Sequence, residues 1–135
     1  MRSRIIVGAL LVFGVLATGT IATSGDGVAP SRQWAIANFT SPVLVVDQIL
    51  MGQYLIVHDD VKMEFGEACT TFYRFDPVKG PQEEVVSFHC MPANRKLAET
   101  LILTQSARSE AQSVRRLTEY QFAGDCEAHG IPNRP

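Results

Sequence analysis

The side chains best suited to chemistry are three cysteines, Cys69, Cys90 and Cys126, and three histidines, His58, His89 and His129. They fall in short clusters: His58-Asp59-Asp60, then Met63, then His89-Cys90-Met91, and last Cys126-Glu127-Ala128-His129. Thiolate, imidazole and thioether together make a soft donor set of the kind copper prefers. On that reading the ligands are His58, His89, Met91, Cys126 and His129, and the protein is a periplasmic soft-metal (copper) binder. Two features weigh against it. Adjacent residues of an extended chain point to opposite faces, so His89 and Cys90 do not readily share an ion. Cys126 to His129 is a lone Cys-x-x-His half-site, and a zinc site needs a second half.

The competing use of the cysteines is a covalent staple. A disulfide between Cys69 and Cys90 closes a loop of about 20 residues and adds roughly 3 kcal/mol through the unfolded chain's lost entropy. It would leave Cys126 single and remove the other two sulfurs as ligands. Such a bond needs an oxidising compartment, and the N-terminus points to one. Arg2 and Arg4 precede an apolar run from Ile5 to Ala17, followed by small residues through Ser24. That is the order of an export signal. The run is shorter than the ~20 apolar residues that cross a bilayer, so residues 1–22 read as a signal peptide. An uncleaved anchor over residues 5–22 is the alternative. In either case the arginines favour an inside N-terminus and an exported body, periplasmic or extracellular.

Signals for catalysis are lacking. The sequence has no Gly-x-Ser-x-Gly elbow, no phosphate-cradling glycine loop and no His-Glu-x-x-His. Asp59-Asp60 and Glu83-Glu84 are adjacent pairs, which point apart in extended chain and form no carboxylate dyad. No catalytic residue and no cofactor are assigned. The formal net charge of -2 argues against nucleic acid, because phosphate binding relies on clustered Lys and Arg. The expected partner is an unknown protein or envelope component, with membrane contact only through the N-terminal segment if it is retained.

These residues must be positioned by strands. Pro42 to Val46 and Gln53 to His58 are apolar runs rich in β-branched residues, and the Gly52 between them suggests a hairpin turning within Asp47 to Gly52. Ala68 to Phe75 and Glu84 to Met91 follow, joined by a linker with two prolines and a glycine, Asp76 to Pro81. Placing Cys69 opposite Cys90 in this second hairpin gathers Cys69, Tyr73, Phe75, Val86, Phe88 and Cys90 on one face. The other face then holds Thr70, Arg74, Ser87 and His89, with Phe72 and Val85 as exceptions. Glu99 to Gln105 and Val114 to Phe122 read as further strands. A short helix over 107–117 is the alternative for the last, since Ser109 to Gln112 resembles a capping box.

The resulting class is all-β, a small antiparallel sandwich or barrel. The expected order is a flexible leader at 23–33, a β-rich domain at 34–124 and an irregular tail at 125–135. Trp34, Ile36 and Phe39 form an apolar stretch that serves either as a contact strand or as a core edge.

Gly52-Gln53-Tyr54 through His58-Asp59, Gly66-Glu67-Ala68-Cys69-Thr70, Phe88-His89-Cys90, Tyr120 to Gly124 and His129-Gly130-Ile131-Pro132 span most of the exported part. In these motifs the chain resembles a group of small exported bacterial proteins of unassigned function. The resemblance implies a secreted, strand-rich domain and transfers no active residue. Taken together, the first expectation is an exported small β-domain with a non-enzymatic binding or structural role at the cell envelope. Copper binding is the second.

Overall fold

The computed structural model describes residues 32–107 and 113–133. The proposed signal segment, most of the leader and the Ser109 to Gln112 capping box lie outside them. The described chain is all-β: strands β1 (Arg32–Val45), β2 (Gln48–Asp59), β3 (Thr70–Asp76), β4 (Gly80–Phe88), β5 (Met91–Asn94), β6 (Ile102–Gln105), β7 (Arg115–Gln121) and β8 (Glu127–Gly130), with one short helix, α1 (Asp60–Glu64). They form one sheet of eight strands in the order β4-β3-β2-β1-β7-β8-β5, with β6 pairing β7 on its other side. The pairing is antiparallel except where β1 meets β7, with Val43 opposite Arg115 and Leu44 opposite Arg116.

The first hairpin turns earlier than Gly52 suggests. Val46 and Asp47 make the turn, and Val46 takes the positive φ of 57°. Gly52 lies inside β2 opposite Phe39, at φ 96°, where the register shifts before pairing resumes at Val43 and Leu50. Thr40, Ser41 and Pro42 face Met51 alone across this bulge. Proline is at home there because it has no N–H to offer the ladder.

The second hairpin is also displaced from expectation. Thr70 pairs with Phe88, Thr71 with Ser87 and Phe72 with Val86, one residue away from the register that sets Cys69 opposite Cys90. Consequently Thr70, Phe72, Val86 and Phe88 are all buried, while Tyr73 is only partly so. Phe72, an exception on the sequence pattern, is a fully buried core residue. The core decides the face. Phe72 meets Tyr120 of β7 edge-on with centroids 6.3 Å apart, and the Thr70 hydroxyl lies 2.5 Å from the Tyr120 hydroxyl. A buried threonine is tolerated because this bond satisfies it.

Two further expectations are corrected. The chain expected as leader is already strand at Arg32 and Gln33. The tail expected to be irregular contains β8, which is held between β7 and β5. The stretch after Asp59 contains α1, capped by the Asp59 carboxylate, which accepts from the backbone N–H groups of Val61 and Lys62. Of the apolar stretch on β1, Phe39 joins the core, whereas Trp34 and Ile36 face outward. No helix among the described residues is long and apolar enough to cross a membrane.

Candidate metal centre

Alternation along β2 points Tyr54, Ile56 and His58 inward, so His58 is buried at the end of the strand. Beyond it α1 reverses the chain, Gly66 takes φ 69°, and the Asp59 N–H donates to the Cys69 carbonyl at 2.9 Å. This closure returns Cys69 to the end of the sheet beside His58. Because Thr70 pairs with Phe88, the chain leaving β4 brings Cys90 alongside, and its N–H donates to the Cys69 sulfur at 3.2 Å. β8 supplies the fourth group from the other side of the core. His129, paired with Tyr120 on one side and Pro92 on the other, is buried with its ring stacked on Tyr120 at 5.0 Å.

These groups converge. The two sulfurs of Cys69 and Cys90 lie 2.9 Å apart, and both cysteines are unbonded thiols. The ligating atoms of His58, Cys69 and Cys90 all fall within 4.8 Å of one another. His129 Nδ1 is 3.6 Å from the Cys90 sulfur, and the Met63 thioether of α1 is 3.8 Å from it. The rings of His58 and His129 lie 4.0 Å apart, centre to centre. Nε2 of each histidine is buried without a hydrogen-bond partner. Nδ1 of His58 sits 3.3 Å from an Asp60 oxygen, close enough for an electrostatic interaction but without hydrogen-bonding geometry.

Burial sets the protonation of the cluster. It pushes the Cys90 thiol up to about 12, helped by its contact with Cys69, so the sulfur stays protonated at neutral pH. It holds His129 down to about 4, reinforced by repulsion from His58. Burial also lowers His58, although Asp60 and Asp59 pull the other way. A neutral Cys90 thiol facing neutral imidazoles is therefore the resting state. Neutral imidazole is the ligating form, and a thiol becomes a ligand by releasing its proton to solvent as the ion binds.

Compared with known families, with curated proteins and with solved structures, this chain matches none. The geometry must speak for itself.

Of the five ligands expected from sequence, the structure brings two together, His58 and His129. Cys126 is exposed and remote in role, its carbonyl accepting from the Arg95 N–H. Met91 is exposed on β5, opposite Gly130. His89 is exposed, with Nδ1 bonded to the Glu67 carbonyl at 2.9 Å, yet it lies 3.9 Å from the Cys69 sulfur. The two cysteines expected as a staple occupy the centre of the cluster, and Met63 adds a thioether. Sequence reasoning set Cys69 and Cys90 aside as ligands because it assumed a closed disulfide.

A single ion fits with small movements. Two donors on one ion stand at most ~4.6 Å apart, twice a metal–sulfur bond of ~2.3 Å. The spread of 4.8 Å needs only slight contraction. The sulfurs must instead separate, from 2.9 Å to about the 3.8 Å of a tetrahedral dithiolate, a shift that side-chain rotation supplies.

Proposed function

We propose that this chain is an exported β-domain that binds one soft metal ion, copper(I) foremost, through Cys69, Cys90, His58 and His129, with Met63 as a weak further ligand. The observation that carries it is the meeting of two buried imidazoles with two buried thiols, His58 within 4.8 Å of both sulfurs and His129 Nδ1 3.6 Å from that of Cys90, with both nitrogens of His58 lacking a hydrogen-bond partner. A buried polar atom left unpaired costs roughly 1–3 kcal/mol, so a native site that contains several invites a missing ligand. Thiolate and thioether donors favour copper(I) over harder ions. The Arg2 to Ser24 segment supports export, and the contacts of β2 and β3 with β7 and β8 across the core support an open sandwich. No turnover is assigned.

A second reading has its own support. The 2.9 Å approach of Cys69 and Cys90 also suits a disulfide that staples the domain in an oxidising compartment. The two readings separate cleanly. Untagged protein, reduced and loaded with copper(I) under argon, is expected to retain one ion per chain after desalting. Retention of none defeats the metal reading, and a Cys69–Cys90 linked peptide in native material then establishes the staple.

A further inference from the structure

We infer that Met63 is the point at which copper(I) enters the buried site, taking the ion first on its thioether and passing it to Cys90. The inference rests on the metal reading above and adds a route to it.

Four of the five proposed ligands have little or no contact with water: His58, Cys69, Cys90 and His129 are each buried. Met63 differs. It packs against the core from α1 yet remains partly exposed, so one side chain meets both solvent and the site. Its thioether sulfur lies 3.8 Å from the Cys90 sulfur. Two sulfurs bound to one tetrahedral ion, each ~2.3 Å from it, stand about 3.8 Å apart. The ligating atoms of Met63 and Cys90 are therefore already spaced to share an ion.

Chemistry sets the order of binding. A thioether is a soft donor with no proton to lose, whereas a thiol must give one up before it ligates. The ion leaves its carrier and bonds to the Met63 sulfur. The Cys90 S–H bond then breaks, its proton goes to water, and a bond from copper to the Cys90 sulfur forms. Copper stays monovalent and no electron moves. α1 can yield to admit the ion, because none of its residues is buried. Its last turn is closed by local bonds, from the Phe65 N–H to the Val61 carbonyl, from Gly66 to Met63 and from Glu67 to Lys62. A segment with few buried contacts and local backbone bonds opens at low free energy.

The test is the rate of copper(I) transfer from its coloured bicinchoninate chelate to the reduced protein, followed by stopped flow in a Cys126→Ser background. Met63→Leu keeps an apolar side chain against the core but has no donor atom. It is expected to slow loading about tenfold, the lower end of what groups around a metal contribute, while still reaching one ion per chain. Alkylation of Cys69 and Cys90 by iodoacetamide, read by mass spectrometry on metal-free protein, is the companion measurement. It needs access to the same thiols but no thioether, and the Leu variant is expected to react no more slowly than its parent. Copper loading of the Leu variant at the parent's rate overturns the inference. So does alkylation slowed as much as copper loading, which would make the role one of packing. A parent protein that takes up no copper at all defeats the metal reading itself, a failure of stoichiometry rather than rate.

Discussion

His58 and His129 stand 4.0 Å apart, ring centre to ring centre, although 58 closes the second strand and 129 sits in the last. Two imidazoles this close cannot both be charged in a buried setting. Burial keeps both neutral, His58 further lowers His129, and this neutrality shapes how the domain should respond to acid, to oxidant and to substitution.

The first consequence is a loss of stability in mild acid. His129 is held at about 4 when folded, against an ordinary 6.5 when unfolded. Between those values the unfolded chain binds the proton and the folded chain does not, so stability rises with pH. The contribution is complete above pH 6.5 and falls away toward pH 4, by about 3 kcal/mol in all for a shift of this size. His58 acts in the same direction, and Asp125 and Asp60 moderate it. Urea midpoints measured on metal-free protein from pH 7 to pH 4 should trace this decline, and His129→Gln should flatten it. A wild-type profile flat over that window would contradict it.

Copper and the disulfide should exclude each other. Joining the sulfurs releases two protons and sends two electrons to an oxidant such as hydrogen peroxide, and it leaves neither cysteine able to bind as thiolate. Peroxide-treated protein is expected to hold no copper and to regain one ion per chain after reduction. The oxidised form should also be more stable, by roughly 3 kcal/mol for a loop of this length. Plasma mass spectrometry on the two forms and denaturation of both provide the check.

Removal of single ligands should grade the site. Cys69→Ser or Cys90→Ser is expected to weaken copper(I) by more than the ~100-fold that an outer-shell partner is worth. Cys126→Ser should leave affinity unchanged, because Cys126 is exposed and outside the cluster. Competition against a copper(I) chelator of known strength gives both numbers. Equal losses for all three cysteines would place the ion elsewhere.

The Thr70–Tyr120 bond ties the two sides of the core just above the site, 2.5 Å between hydroxyl oxygens. Tyr120→Phe leaves the buried Thr70 hydroxyl with only a 4.0 Å contact to the Cys69 sulfur and should cost about 1–3 kcal/mol, read from chemical denaturation. Copper stoichiometry should remain unchanged, since neither hydroxyl is among the ligands.

Gly52 offers a purely conformational test. A Cβ added there meets nothing within 4 Å, yet φ is 96°. Gly52→Ala should therefore destabilise by about 1–3 kcal/mol through backbone strain alone. A neutral result would mean that the bulge opposite Phe39 relaxes without penalty.

Much of this was legible locally. Strand-forming runs around Val43, Ile56, Phe72 and Val86, the turn at Asp76 to Pro81 and the soft donors themselves all follow from residue type and spacing. The meeting of Cys69 with Cys90 was also foreseeable, though by way of the wrong register: both lie beyond the ladder ends, so a one-residue slip in pairing still leaves the sulfurs adjacent. What alternation within one hairpin could not decide was which face is buried. Phe72 lies inward because Tyr120 is there to receive it and to satisfy Thr70. Nor could it foresee that a segment as short as Glu127–Gly130 becomes a strand, because its hydrogen bonds go to β5 and β7 rather than to anything nearby in sequence. Sequence alone determined an all-β chain and its supply of soft donors. Only the tertiary structure chose His58, His129 and Met63 to surround the two thiols and left Met91 and Cys126 outside, because pairing between distant strands, and not spacing along any one of them, sets which side chains share a buried space.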